Sequence, residues 1–106
     1  MTARALRLRP RANEDLAEHV RYLSGESAGL AVRFIDAVLA ALDTLRAHPE
    51  MGAPRAWRDE RLSGLRTWPV PGFERWLIFY RLTEASVDVV RVLHGARDLP
   101  EVLRED

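Results

Sequence analysis

The sequence predicts an α+β domain in which an N-terminal strand precedes a helical hairpin and a mostly antiparallel three-strand meander. Three observations predict it. Apolar residues recur at helical spacing from Ala12 to Leu23 and again from Leu30 to Leu45. Three runs rich in aromatic and β-branched residues follow after residue 64. Short turn signals separate those runs, as antiparallel neighbours require. The 106 residues make one domain, expected to span 1–106.

Each element has its own signal. Residues Ala5–Arg9 alternate Leu6 and Leu8 with Arg7 and Arg9, the period of a strand. Pro10 suits the first turn of a helix, where a missing N–H costs nothing. Ala12, Leu16, Val20 and Leu23 carry that helix forward, with Glu14, Asp15 and Glu18 near its positive end. Ser24-Gly25 is the expected stop, with Gly25 taking a left-handed cap. Ser27 is the N-cap of a second helix whose stripe is Leu30, Phe34, Ile35, Val38, Leu42 and Leu45. His48-Pro49 ends it, because the residue before proline is pushed out of helical geometry. A link as short as Ser24-Gly25-Glu26 makes the pair an antiparallel hairpin.

The stretch from Pro49 to Gly64 reads as a long loop. Leu65–Val70 is a strand weakened by Pro69, hence an edge strand or a strand end. Pro71-Gly72 is a turn. Arg75–Arg81 is a central strand, and Val87–His94 its hairpin partner across Thr83–Ser86. The helices cover one sheet face, and no element remains for the other. That second face, bearing aromatics and arginines, is therefore the expected binding surface.

Composition narrows the chemistry. There is no cysteine, which removes disulfides, zinc-thiolate sites and a cysteine nucleophile. No apolar run approaches the roughly 20 residues of a membrane span, no secretory leader opens the chain, and a cytoplasmic protein without membrane contact is expected. The formal net charge is zero, against indiscriminate nucleic-acid binding, yet every basic side chain apart from three histidines is arginine. Such a bias is either the mark of a GC-rich genome or a choice of the bidentate guanidinium fork. No phosphate loop, metal-ligand cluster or nucleophile elbow is present, so no cofactor and no metal is expected. His19 and His48 read as structural helix residues. His94, ending the last strand near Arg97 and Asp98, allows two readings. It hydrogen-bonds at a strand end, or it joins Arg75 and Arg81 in a metal-free site that stabilises charge on a phosphate and moves protons. Trp76 belongs to the core or an interface, and Trp57 is either a recognition anchor or a lid.

The strings Leu65–Val70, Phe73–Arg81 with its IFYR, and Val90–Asp98 with its RVLHGARD resemble the C-terminal half of the ParE/RelE toxin superfamily, most closely its ParE-type toxins. The hairpin followed by His48-Pro49 and Met51-Gly52 is similar as well. The resemblance implies the toxin of a type II toxin–antitoxin system. Its partner would be a ParD-like antitoxin, its target DNA gyrase, and its contact with operator DNA made only through the antitoxin. The alternative it implies is a RelE-type, ribosome-dependent mRNA endoribonuclease, in which Arg75 and His94 would be the catalytic pair. Gly95 stands where several such nucleases place a tyrosine, a departure from the nuclease pattern. Candidate residues for binding target or antitoxin are Arg66, Trp68, Arg75, Arg81, Arg91, His94 and Arg97.

Overall fold

The computed structural model describes residues 4–54, 57–95 and 103. Strand β1 (Ala5–Leu8) leads into helix α1 (Pro10–Glu26), then helix α2 (Ala28–Ala47). A two-residue strand β2 (Ala53–Pro54) and a 3-10 turn (Glu60–Leu62) interrupt the long loop. Strands β3 (Arg66–Val70), β4 (Phe73–Leu82) and β5 (Ser86–His94) complete one five-stranded sheet of order β1-β5-β4-β3-β2. Among the described strands β1 and β5 pair in parallel, and β2 to β5 are joined antiparallel. The α+β class and element order are those the sequence predicts.

The helices differ from expectation at their junction. α1 runs through Gly25, and only Gly64 and Gly72 hold a positive φ among the described residues. Ser27 alone divides the helices. Its N–H donates to Leu23 O (2.9 Å), closing α1, and its Oγ accepts from Leu30 N–H (3.3 Å), opening α2. One extended residue thus serves both ends, and a glycine cap has no role. Gly72, with φ +82°, supplies the left-handed position of the β3–β4 turn.

The principal core lies between the hairpin and the sheet. Phe34, Val38 and Leu45 of α2 meet Ile78, Tyr80, Val87, Val89 and Val92. Ile35 does not join them. It is 40% exposed, and with Val32 (56%) and Leu39 (58%) it forms an outward apolar stripe along α2.

The second sheet face is not open, and this corrects the expectation above. Leu62, Leu65, Phe79, Val90, Leu93 and Leu103 form a second buried cluster there, with Trp57 and Leu77 packed against it. The long loop folds back as a cover. Trp57 Nε1–H donates to Leu65 O (3.2 Å), and its ring lies 6.3 Å from that of Phe79. Trp57 is a lid. The loop could seal the face because Leu62 and Leu65 carry enough apolar surface to bury themselves against Phe79 and Leu93, which the turn-rich composition around them conceals.

Pro69 behaves as its chemistry demands. It pairs with Leu77 of β4, and β2 reaches only Thr67 and Arg66, so the other side of β3 at Pro69 is a sheet edge. The ladder shifts register at Pro69/Val70.

Candidate functional site: a rim where α1 meets the ends of β4 and β5

The sheet ladder explains which candidates come together. Trp76 and His94 face each other across β4 and β5, their rings 4.9 Å apart and nearly perpendicular. On the same side His19 of α1 presents its ring edge-on to both Phe34 and Trp76, at 6.1 Å each. His19 Nε2 lies 2.7 Å from Val92 O. A carbonyl only accepts, so Nε2 carries the proton of that bond. His19 is therefore anchored to the sheet, more than the structural helix residue read from spacing. Glu18, His19, Tyr22, Arg75, Trp76 and His94 line a cavity of about 470 Å³ at this rim. Arg75 and His94, paired in the sequence reading, do share a site. Arg75 holds the strand end through its carbonyl, which accepts from Gly95 N–H (2.6 Å).

The other candidates serve the fold. Arg91 is 3% exposed and lies under α1, where its Nε and Nη2 donate to the Asp15 carboxylate at 2.8 and 2.9 Å. The expectation that Arg91 contacts a target is corrected: its guanidinium is enclosed. A bulge lies beside it. Phe79 opposes Arg91 and Tyr80 opposes Val89, so Val90 is an extra residue in β5. An extra residue breaks the strict alternation of faces. The same carboxylate accepts from Val92 N–H (3.0 Å), which fixes the backbone just past the bulge.

Arg66 donates from Nη1 to Glu50 O (3.1 Å) and Gly52 O (2.7 Å), tying the segment after α2 to β3. Arg81 likewise donates to Ser63 O and Arg61 O, holding the lid segment against β4. Both arginines use their forks on backbone carbonyls. Arg81, Arg61 and Arg9 also ring a smaller cavity of about 120 Å³ floored by Leu62, Leu65, Val90 and Leu103. Trp68 is half-buried against the main core, and its indole N–H has no hydrogen-bond partner among the described residues. Arg97 lies outside the described residues, as does Asp98.

Tyr80 forms a third polar node. Its hydroxyl donates to Pro49 O and accepts from Gly52 N–H, both at 2.8 Å. Burial raises its pKa above the ordinary tyrosine value, opposed in part by the Gly52 N–H and the Arg66 charge.

Sequence reasoning missed Asp15, His19, Glu18 and Tyr22. A signal existed for Asp15, which falls three residues after Ala12 inside the buried stripe, where an acid needs a counter-charge. Arg91, embedded in a valine run, was its complement. Nothing in spacing tells that Glu18 and Tyr22, one helical turn apart, overhang the end of β4.

With the geometry in view, comparison with known proteins decides the family. The family model for the ParE toxin of type II toxin–antitoxin system, parDE, matches residues 6–99. The chain belongs to the ParE toxin family. Its ParE fold is also similar to a chain of the chromosomal ParDE TA system from P. aeruginosa, with a TM-score of 0.69 at 16% identity, covering 87% of this chain and 96% of that one. At that identity the likeness concerns the fold. No curated protein matches the sequence significantly. Among the described residues no helix is long and apolar enough to cross a membrane, and no group of three or more acidic or histidine side chains is placed to hold a metal.

Proposed function

We propose that this ParE-family toxin works in the cytoplasm, is held inactive by a ParD-like antitoxin, and on release inhibits DNA gyrase by binding it. Family membership across residues 6–99 carries the reading. The apolar stripe Val32, Ile35 and Leu39, turned outward on α2, supports a protein partner, since burying it against apolar side chains removes it from water. The arginine-bearing sheet face expected for that role is closed by the loop, so α2 takes its place as the contact surface. Operator DNA is met only through the antitoxin.

A supercoiling assay tests the target. Purified toxin is expected to inhibit gyrase, and a cognate ParD-like protein to reverse the inhibition. Folded toxin in large molar excess that leaves supercoiling unchanged rejects the gyrase target. Leu39→Glu tests the contact surface separately: it should weaken antitoxin binding at unchanged helicity.

One observation favours a second reading. Arg75 and His94 line a common cavity, as a RelE-type mRNA endoribonuclease would need. Cleavage of mRNA in a translating extract, lost in His94→Ala, would establish it in place of gyrase inhibition.

A further inference from the structure

The rim cavity is a feature separate from the outward α2 stripe assigned above to the protein partner. Its volume of about 470 Å³ falls in the range of small-molecule sites. Its lining comes from three elements, with Glu18, His19 and Tyr22 on α1, Arg75 and Trp76 on β4, and His94 at the end of β5. Among the described residues its lining carries one guanidinium and one carboxylate, drawn from different elements, so it suits a ligand carrying both an anionic group and hydrogen-bond donors. Tyr22 is 64% exposed, an aromatic ring open for stacking. His19 has its tautomer set by Val92 O. In the neutral ring Nδ1 is then an acceptor, and it makes no other hydrogen bond among the described residues.

We propose that this cavity binds a nucleoside monophosphate. The phosphate is met by the Arg75 guanidinium, which fits phosphate oxygens through its planar fork. The base stacks on Tyr22, as bases do on aromatic side chains. Glu18 accepts from the N–H groups of the base edge, a match for guanine, which offers two adjacent donors there. His19 Nδ1 accepts from a further ligand donor. A bare anion would leave Glu18 facing like charge, and an uncharged nucleoside would leave Arg75 unpaired, so both halves of the ligand are needed. The inference is independent of the gyrase reading and requires no cleavage, although it concerns the cavity that the ribonuclease reading invokes.

Calorimetric titration with guanosine 5′-monophosphate, guanosine and inorganic phosphate tests it on the full chain. The monophosphate should bind saturably, with guanosine and phosphate each at least about tenfold weaker. Long-range ¹H–¹⁵N spectra should show the His19 and His94 imidazole signals moving with the same saturation. Arg75→Gln and Tyr22→Ala, at exposed positions, should each weaken binding by roughly tenfold or more while the far-ultraviolet spectrum stays unchanged. Phosphate binding as tightly as the monophosphate, wild-type affinity in either variant, or no saturable response at millimolar ligand would overturn the proposal. Gyrase inhibition measured on the same Tyr22→Ala protein separates the two functions, since loss of nucleotide with inhibition retained leaves each reading standing alone.

Discussion

Replacing Asp15 by alanine should unfold this toxin more readily than any other single charge removal among the described residues. Its carboxylate accepts three N–H groups, Arg91 Nε at 2.8 Å, Arg91 Nη2 at 2.9 Å and Val92 N at 3.0 Å. The side chains are 8% and 3% exposed for Asp15 and Arg91. Without Asp15 the buried guanidinium loses the carboxylate that accepts from its Nε and Nη2, and breaking a buried pair in this way costs about 3–5 kcal/mol. The Val92 amide loses its acceptor as well, a further cost of about 1–3 kcal/mol if it finds no water. Domains of this size hold only about 5–15 kcal/mol in total. Even the smaller figure, about 3 kcal/mol, lowers Tm by at least roughly 12 °C in a chain of about 100 residues. Urea unfolding followed by circular dichroism measures the loss. Because the pair is enclosed, salt at roughly 1 M should change that loss little. The double replacement Asp15→Leu with Arg91→Met should regain much of it, because neither charge is then taken out of water. A single Asp15→Ala variant within about 1 kcal/mol of the wild type would refute the reasoning.

Three further outcomes follow from other contacts. Gly52→Ala should lower stability by about 1–3 kcal/mol, since a Cβ there would stand 2.7 and 2.8 Å from ring carbons Cε1 and Cζ of Tyr80; an unchanged Tm would contradict that packing. Tyr80→Phe should cost about 1–3 kcal/mol by stranding Pro49 O and Gly52 N–H. The raised Tyr80 pKa means that the folded state holds the proton more tightly than the unfolded chain does. The stability this contributes is fully present below about pH 10 and is lost as pH rises through the folded value, so urea midpoints at pH 8 and pH 11 should diverge less in Tyr80→Phe than in the wild type. Ser27→Ala should cost about 1 kcal/mol and Ser27→Gly less, by calorimetry, because Ser27 Oγ is the cap of α2.

Much of the fold was legible because its signals are local. Pro10 at the first turn, Ser27 as a cap, His48-Pro49 as a stop and Pro71-Gly72 as a turn each act within a few residues, and each stands where the sequence puts it. The central place of Phe73–Leu82 followed from its aromatic and aliphatic run. The lid was not legible, since Leu62 and Leu65 are sparse apolar residues in a polar stretch and only Phe79 and Leu93 make them a core. The candidate site was half legible. Arg75 and His94 were named together, but Arg91 was misplaced because the carboxylate that encloses it, Asp15, stands 76 residues away along the chain.

The sequence by itself determined the order and kind of the elements, the hairpin, and the ParE family, since periodicity, caps and strings such as IFYR are carried along the chain. Tertiary structure alone decided which arginines are spent inside the fold and which remain at the rim. That division depends on what lies opposite each side chain: a carboxylate for Arg91, carbonyls for Arg66 and Arg81, a cavity for Arg75. Such partners are separated by many residues along the chain and meet only once the sheet, its bulge and the covering loop are in place.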